Sequence, residues 1–272
     1  MKYIDARTQD LLNQSVMKFL KLTEYNMINI FKTIYYCTKK EPCEWVEDFL
    51  ADHIIDETLE YIQMFHLTRR LNDTDLRANN NLQQLLLGKS PLSEFLKKYN
   101  VTFEKGKGHI DMLYKGKVQL LDNEYKYPDG NVYYVKSRLG YNDIQDFCVN
   151  GFAFRSYLED NNYFTLLSRC PELVGQIEEL LGIKGMSFDY YYNSKYYCIE
   201  YLIPLSEVIF DINNPPQTER DKTMELLKQS LLRLYNDWAG NSFLCDENLI
   251  LRLSDDAMIK PEWFINAEEI LK

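Results

Sequence analysis

Glycine and proline are scarce in this chain, with 11 and 8 among 272 residues. That scarcity excludes collagen-like, low-complexity and linker-dominated readings. Nowhere do 18 apolar residues run uninterrupted, so the sequence offers no membrane-spanning helix. The opening residues, Met1-Lys2-Tyr3-Ile4-Asp5-Ala6-Arg7, lack the basic-then-apolar run of a secretory signal. The six cysteines form no CxxC pair, and the three histidines do not cluster near them, which argues against a structural zinc site. A cytoplasmic protein with reduced thiols and no metal is the expectation. G-x-G-x-x-G, P-loop, H-E-x-x-H and G-x-S-x-G motifs are also absent, which disfavours Rossmann and Walker-type nucleotide binding and the commonest hydrolase sites.

What is present is an acidic, aromatic, globular chain. It carries 31 Lys+Arg against 41 Asp+Glu, a net charge of −10. Such a balance repels phosphate backbones at long range while leaving room for a local basic groove. Tyrosine is in surplus at 21, beside 14 Phe and 3 Trp. Its ring is apolar and its tip polar, so the surplus suits wet clefts and half-buried strands as well as core.

The first sixty residues read as helical. Met27, Ile30, Phe31, Ile34 and Tyr35 recur at helical spacing. Pro42 suits the first turn of a second helix that turns Trp45, Phe49 and Leu50 inward and Glu44, Glu47, Asp48 and Asp52 outward. Tyr61 to Thr68 is rich in strand formers, Leu82 to Leu87 reads as a short helix ended by Gly88, and Ser90-Pro91 opens another. From Val101 to Phe154 the pattern is mostly strands, with Pro128-Asp129-Gly130 as a hairpin turn. Pro171 to Gly182 is helical, Phe188 to Phe210 strand-like, and Thr218 to Trp238 an amphipathic helix. Leu249 to Lys272 reads as a strand, a turn and a final short helix. The class is α+β, with helices at both ends of a central antiparallel set.

Two strand positions stand out chemically. Period-two geometry places His66 and Thr68 on one face, although a lone strand histidine also serves as a satisfied structural residue. Glu200 is a single carboxylate inside the otherwise apolar and aromatic run Tyr197 to Ile203. Isolated buried charge is costly, so this Glu either faces solvent on an edge strand or points into a cleft. In a cleft it can stabilise developing positive charge, accept a hydrogen bond from a sugar hydroxyl, or act as a base.

Together these stretches resemble the His–Tyr–Glu group of the ADP-ribosyltransferase family, nearest to its toxin-type members. The resemblance rests on His66-Leu67-Thr68, on Asn81-Leu82-Gln83-Gln84-Leu85-Leu86-Leu87-Gly88, and on Glu200-Tyr201-Leu202-Ile203-Pro204 followed by Val208-Ile209-Phe210. It covers roughly residues 60 to 212. It implies a split antiparallel β core that binds NAD as substrate, with N-terminal and C-terminal helical additions. Residues 1–59 would form a helical segment packed on a catalytic domain of residues 60–272 that ends in a helix. In that reading Glu200 is catalytic, His66 holds a ribose hydroxyl and Thr68 supports it. Phe154 and Tyr157 are the favoured rings for stacking on nicotinamide, with Tyr133, Tyr134 and Tyr163 also in the field. Arg155 meets the pyrophosphate, its alternative being a surface ion pair. The implied activity is cleavage of NAD and transfer of ADP-ribose to a macromolecular acceptor (protein, RNA or DNA), in a toxin or defence effector with an antitoxin partner.

Two rival readings come from the residues. Asp111, Glu124 and Lys126 imitate the Asp…Glu-x-Lys pattern of a Mg²⁺-dependent nuclease, although Asp122-Asn123 makes the strand before Glu124 polar. Alternatively, the aromatic surplus and the acidic helix near residues 42–60 would build a non-enzymatic protein-interaction module. Lys105, Lys107, Lys115 and Lys117 are the residues from which a confined basic groove would be drawn.

Overall fold

The computed structural model describes residues 1–53, 57–72, 74–77, 79–121, 130–141, 145–245 and 247–271. In chain order its elements begin with α1 (Gln9–Phe19), α2 (Glu24–Lys32), α3 (Pro42–Asp52), β1 (Tyr61–Leu71), α4 (Leu82–Leu87) and α5 (Pro91–Lys98). β2 (Val101–Lys105), β3 (Ile110–Tyr114), β4 (Lys117–Val118), α6 (Gly130–Arg138) and β5 (Asn150–Phe152) follow. Next come α7 (Asn162–Leu167), α8 (Glu172–Leu181), α9 (Met186–Tyr192), β6 (Ser194–Pro204) and β7 (Ile209–Phe210). α10 (Glu219–Trp238), β8 (Ile250–Arg252) and β9 (Phe264–Glu269) complete the chain. Mixed helix and antiparallel sheet place it in the α+β class. One sheet has the strand order β7-β8-β5-β1-β6-β9 and a second the order β2-β3-β4. No helix among the described residues is long and apolar enough to cross a membrane.

The chain divides into two compact units, each assembled from three stretches. The first comprises Met1–Phe65, Gly151–Asn161 and Glu200–Arg252. Helices α1 and α2 start where side chains satisfy orphan backbone N–H groups, whereas α3 starts at Pro42 without a side-chain cap. Thr8 Oγ1 accepts from Leu11 N at 3.2 Å, and Thr23 and Asn26 cap each other reciprocally at the start of α2. The periodic residues Met27, Ile30 and Phe31 are buried as their spacing requires. On α3 the buried positions are Val46 and Leu50, while Trp45 and Phe49 stack on each other, half-buried, at 5.5 Å. α10 packs against α1 and α3 through a stripe that includes Leu227, Leu231 and Leu234. Beside these helices β1 and β5 pair antiparallel at Phe65 and Phe152. Gly151 permits that approach, since a Cβ there would lie 2.7 Å from Met64 Cγ and 2.9 Å from the Phe65 carbonyl oxygen.

The second unit comprises His66–Asn150, Asn162–Ile199 and Leu253–Lys272. Its core gathers Phe95 and Leu96 of α5, Val101, Ile110 and Met112 of the small sheet, Val135 and Leu139 around α6, and Leu173, Val174 and Ile177 of α8. Asn81 caps α4 through Gln84 N at 2.9 Å, and Gly88 follows its last turn. Gly182, at φ +62°, closes α8 in the left-handed region.

Three segments differ from the sequence expectation. The turn expected at Pro128-Asp129-Gly130 falls largely outside the described residues, and Gly130–Arg138 is helix rather than returning strand. Val132, Val135 and Leu139 are all buried, so a period near 3.6 overrides the strand preference of valine. Phe188 to Tyr192, read as strand, belongs to α9. The Glu178 carboxylate accepts from Gly185 N at 2.9 Å and Ser187 N at 2.6 Å, which supplies an N-terminal anchor invisible to local propensity. The expected final short helix is instead β9, beside β6 in the large sheet. The Ile270 N–H donates to the Tyr196 carbonyl at 2.8 Å, and this edge pairing outweighs the helical preference of Ala-Glu-Glu.

Candidate functional site

In the first unit Glu200 is a buried carboxylate on β6. Period two along β6 turns it to the same side as Leu202, and it is only 8% exposed. Burying a carboxylate demands a donor. Gln63, on β1 and itself 3% exposed, supplies one through Nε2 to Oε1 at 2.8 Å. The Gln63 Oε1 in turn accepts from the Ala6 backbone N–H at 2.6 Å. Ala6 is held from its other side, because its carbonyl accepts from Arg155 N at 3.0 Å. The flanking Arg7 forks onto Asp5, Nε to Oδ1 at 2.9 Å and Nη2 to Oδ2 at 2.5 Å.

Charge and burial compete at Glu200. Burial pushes its carboxyl above the ordinary value, whereas the Arg7 charge and the Gln63 hydrogen bond pull it back. Asp5 moves the opposite way, held low chiefly by its hydrogen bond from Arg7. The result is a desolvated carboxylate with one fixed amide donor and a cation close by, a group able to stabilise positive charge or to take a hydroxyl proton.

The other first-unit candidates turn elsewhere. Phe154 is fully packed at 2% exposure, with the Arg233 guanidinium 5.1 Å from its ring centroid and Asn248 bonded to its backbone. Arg155 carries its guanidinium to Glu159, the surface ion pair that was its alternative reading. Tyr157, at φ +56°, donates its hydroxyl to Asp237, and Arg233 lies 5.7 Å from its ring centroid. The backbone of Arg155 does meet the Glu200 cluster through Ala6. Its charged end does not.

In the second unit, His66 has both ring nitrogens engaged. Nδ1 lies 2.6 Å from the Asn150 carbonyl oxygen, which can only accept, so the proton sits on Nδ1. Nε2 lies 3.1 Å from Asn79 Nδ2 and accepts from it. Burial, helped by the Arg70 charge, pushes the imidazole down from 6.5 to about 4, so the ring is neutral at physiological pH. Among the described residues the Thr68 hydroxyl reaches the neighbouring Arg69 carbonyl, at 3.5 Å. Next along the strand, Arg69 points to the opposite side from His66 and Thr68 and is buried. It donates to Ser194 Oγ (2.9 Å) and to the carbonyls of Ser168 (2.6 Å), Tyr191 (3.0 Å) and Ser194 (2.6 Å).

The nuclease constellation is only partly described. Asp111 Oδ1 accepts from His109 Nε2 at 3.0 Å and from the Tyr141 hydroxyl at 3.4 Å, while Glu124 and Lys126 lie outside the described residues. Among the described residues no group of three or more His, Cys, Asp or Glu side chains could hold a metal. The lysines of the expected basic groove are split between the two ends of one hairpin. Lys105 pairs with Ile110 at one end and Lys117 with Tyr114 at the other, about 14 Å apart at strand rise.

No protein-family model, curated protein or solved structure matches the chain. What can be said of function therefore rests on the residues. Glu200 and His66 are singled out from the sequence, whereas Gln63, Ala6, Arg7 and Asn79, which the structure places around them, are not. For Gln63 a signal existed: a neutral amide inside the apolar run Ile62 to Phe65 obeys the same logic that singled out Glu200. Ala6 contributes through its backbone, for which no side-chain signal exists.

Proposed function

We propose that this chain is an ADP-ribosyltransferase that cleaves NAD and passes ADP-ribose to a macromolecular acceptor, with Glu200 as its catalytic carboxylate. The observation that carries this reading is the state of Glu200: desolvated, held by one amide, and set within the apolar and aromatic stretch Tyr196 to Ile203 of β6. In the reaction the bond between nicotinamide and the ribose anomeric carbon breaks. Its electron pair goes to the ring nitrogen, and positive charge develops on the ribose. The ionised Glu200 accepts a hydrogen bond from a ribose hydroxyl and stabilises that charge. The acceptor nucleophile then bonds to the anomeric carbon and gives up its proton to solvent water.

His66 keeps its place in this reading with one refinement. Its Nε2 can accept a hydrogen bond from a ribose hydroxyl only by exchanging the Asn79 amide for it. Thr68 supports the strand beside it. The stacking ring is left to a residue other than the packed Phe154; Tyr157, the other favoured ring, has its hydroxyl bonded to Asp237. Net charge −10 and the divided lysines favour a protein acceptor over RNA or DNA. A cytoplasmic toxin or defence role with an antitoxin partner extends the resemblance in the same direction.

The test is nicotinamide release from NAD by the wild type and by Glu200→Gln, with circular dichroism confirming that both fold. Loss of a group that stabilises the transition state predicts a fall of roughly 10²–10³-fold. Equal rates in the two proteins, or no turnover by the wild type, overturn the reading.

A further inference from the structure

Glu200 is held by a relay that begins in the N-terminal segment. We propose that Gln63 is a positioning residue for Glu200, and that the backbone of Ala6 sets the orientation of Gln63, which makes the segment Asp5–Arg7 part of the site. The inference rests on the reading of Glu200 as the reactive carboxylate, but its geometry stands independently.

The orientation of the Gln63 amide is chemically determined. A backbone N–H can only donate, so the atom 2.6 Å from Ala6 N must be the carbonyl oxygen Oε1. The amide nitrogen is then forced towards Glu200, where it donates to Oε1 at 2.8 Å. Both side chains are more than nine-tenths buried, so water does not compete for these bonds. Ala6 cannot rotate its N–H away, because the Arg155 N–H grips its carbonyl at 3.0 Å and the residue itself is 4% exposed. Asp5 N also donates to Ser15 Oγ at 3.2 Å, which anchors the segment to α1.

The consequence is a division of labour between the two carboxylate oxygens. Oε1 is committed to Gln63. No hydrogen bond from the described residues engages Oε2, which is therefore the oxygen available to a substrate hydroxyl. Fixing one oxygen fixes the plane of the carboxylate and hence the direction of the other, the pre-organisation that a charge-stabilising group needs. The charged groups that face Glu200 are Arg7 and Asp5 of the N-terminal segment, and Gln63 is its donor from β1.

Three proteins test this: wild type, Gln63→Leu, which removes donor and acceptor at similar volume, and Gln63→Glu. The last keeps an acceptor for the Ala6 N–H, so it preserves the fold while replacing the donor that faces Glu200. The first measurement needs no NAD. It is a carboxyl carbon NMR titration of Glu200, assigned by the signal missing in Glu200→Gln. Loss of the donor raises the Glu200 midpoint by roughly one pH unit in Gln63→Leu, and in Gln63→Glu the two carboxyls titrate as a coupled pair. The second measurement is the pH profile of NAD cleavage. The acid limb moves to higher pH in both variants, and kcat falls by on the order of 10²-fold while KM changes little. An unmoved Glu200 midpoint in both variants overturns the relay whatever the activity. A moved midpoint with no NAD turnover by the wild type overturns the transferase reading alone. A moved midpoint with an unchanged kcat and acid limb overturns the positioning role.

Discussion

Lowering the pH from 7 to 5 should destabilise this protein through His66, by an amount its surroundings determine. The Asn150 carbonyl needs a hydrogen on Nδ1, and the Asn79 amide needs a lone pair on Nε2. A second proton would meet the amide hydrogens of Asn79 in a desolvated position near Arg70, so the ring is pushed down from 6.5 to about 4. Because the folded value lies below the unfolded one, the unfolded chain takes up the proton first. The contribution of His66 is intact above pH 6.5 and is lost as the pH falls towards 4. Linkage between those two values gives about 2 kcal/mol at pH 5 relative to pH 7, and the partial exposure of the ring reduces this to roughly 1–2 kcal/mol. The assay is urea unfolding of the wild type and His66→Gln at both pH values. Wild type should lose roughly 1–2 kcal/mol more than the variant on acidification. Parallel losses would show that the ring protonates without penalty and would refute the assignment of a neutral, doubly engaged imidazole.

Two further perturbations test the packing. Arg69→Met removes a buried guanidinium that bonds Ser168, Tyr191 and Ser194, and should cost about 3–5 kcal/mol in guanidinium chloride unfolding. A cost below about 1 kcal/mol would mean these bonds contribute little beyond solvent. Gly151→Ala places a methyl 2.7 Å from Met64 Cγ and should cost about 1–3 kcal/mol, read as a lowered urea midpoint with no change in slope. An unshifted midpoint would show that β1 and β5 separate without strain.

How much of this was legible beforehand depended on the range of the interactions. Helices α2, α3, α5 and α10 combine a periodic apolar face with a cap or an early proline, all within a few residues, and the sequence displays both signals. Helix α9 starts on a carboxylate from the preceding helix, and β9 is an edge strand that depends on β6 some seventy residues earlier, so local propensity pointed the wrong way. The site divides similarly. Glu200 declared itself as a lone charge in an apolar strand. Its donor lies 137 residues away and the donor's own anchor 57 residues further, a separation that no pattern of period two or 3.6 can encode. Among the many aromatic residues, composition could not separate a packed ring such as Phe154 from one at a surface, because both uses satisfy the same ring chemistry.

The discontinuous assembly of the first unit bears on how the chain is made. Its first stretch ends at Phe65, yet its last ends at Arg252, so 187 further residues must emerge before the unit can close. At ~5–20 residues per second that is a wait of roughly 10–40 s on the ribosome. During that interval the apolar faces of α1, α2 and α3 lack α10, the helix that covers α1 and α3 in the finished fold. Transiently uncovered apolar surface of this kind is prone to aggregation, and Gln63 waits through the same interval for Glu200.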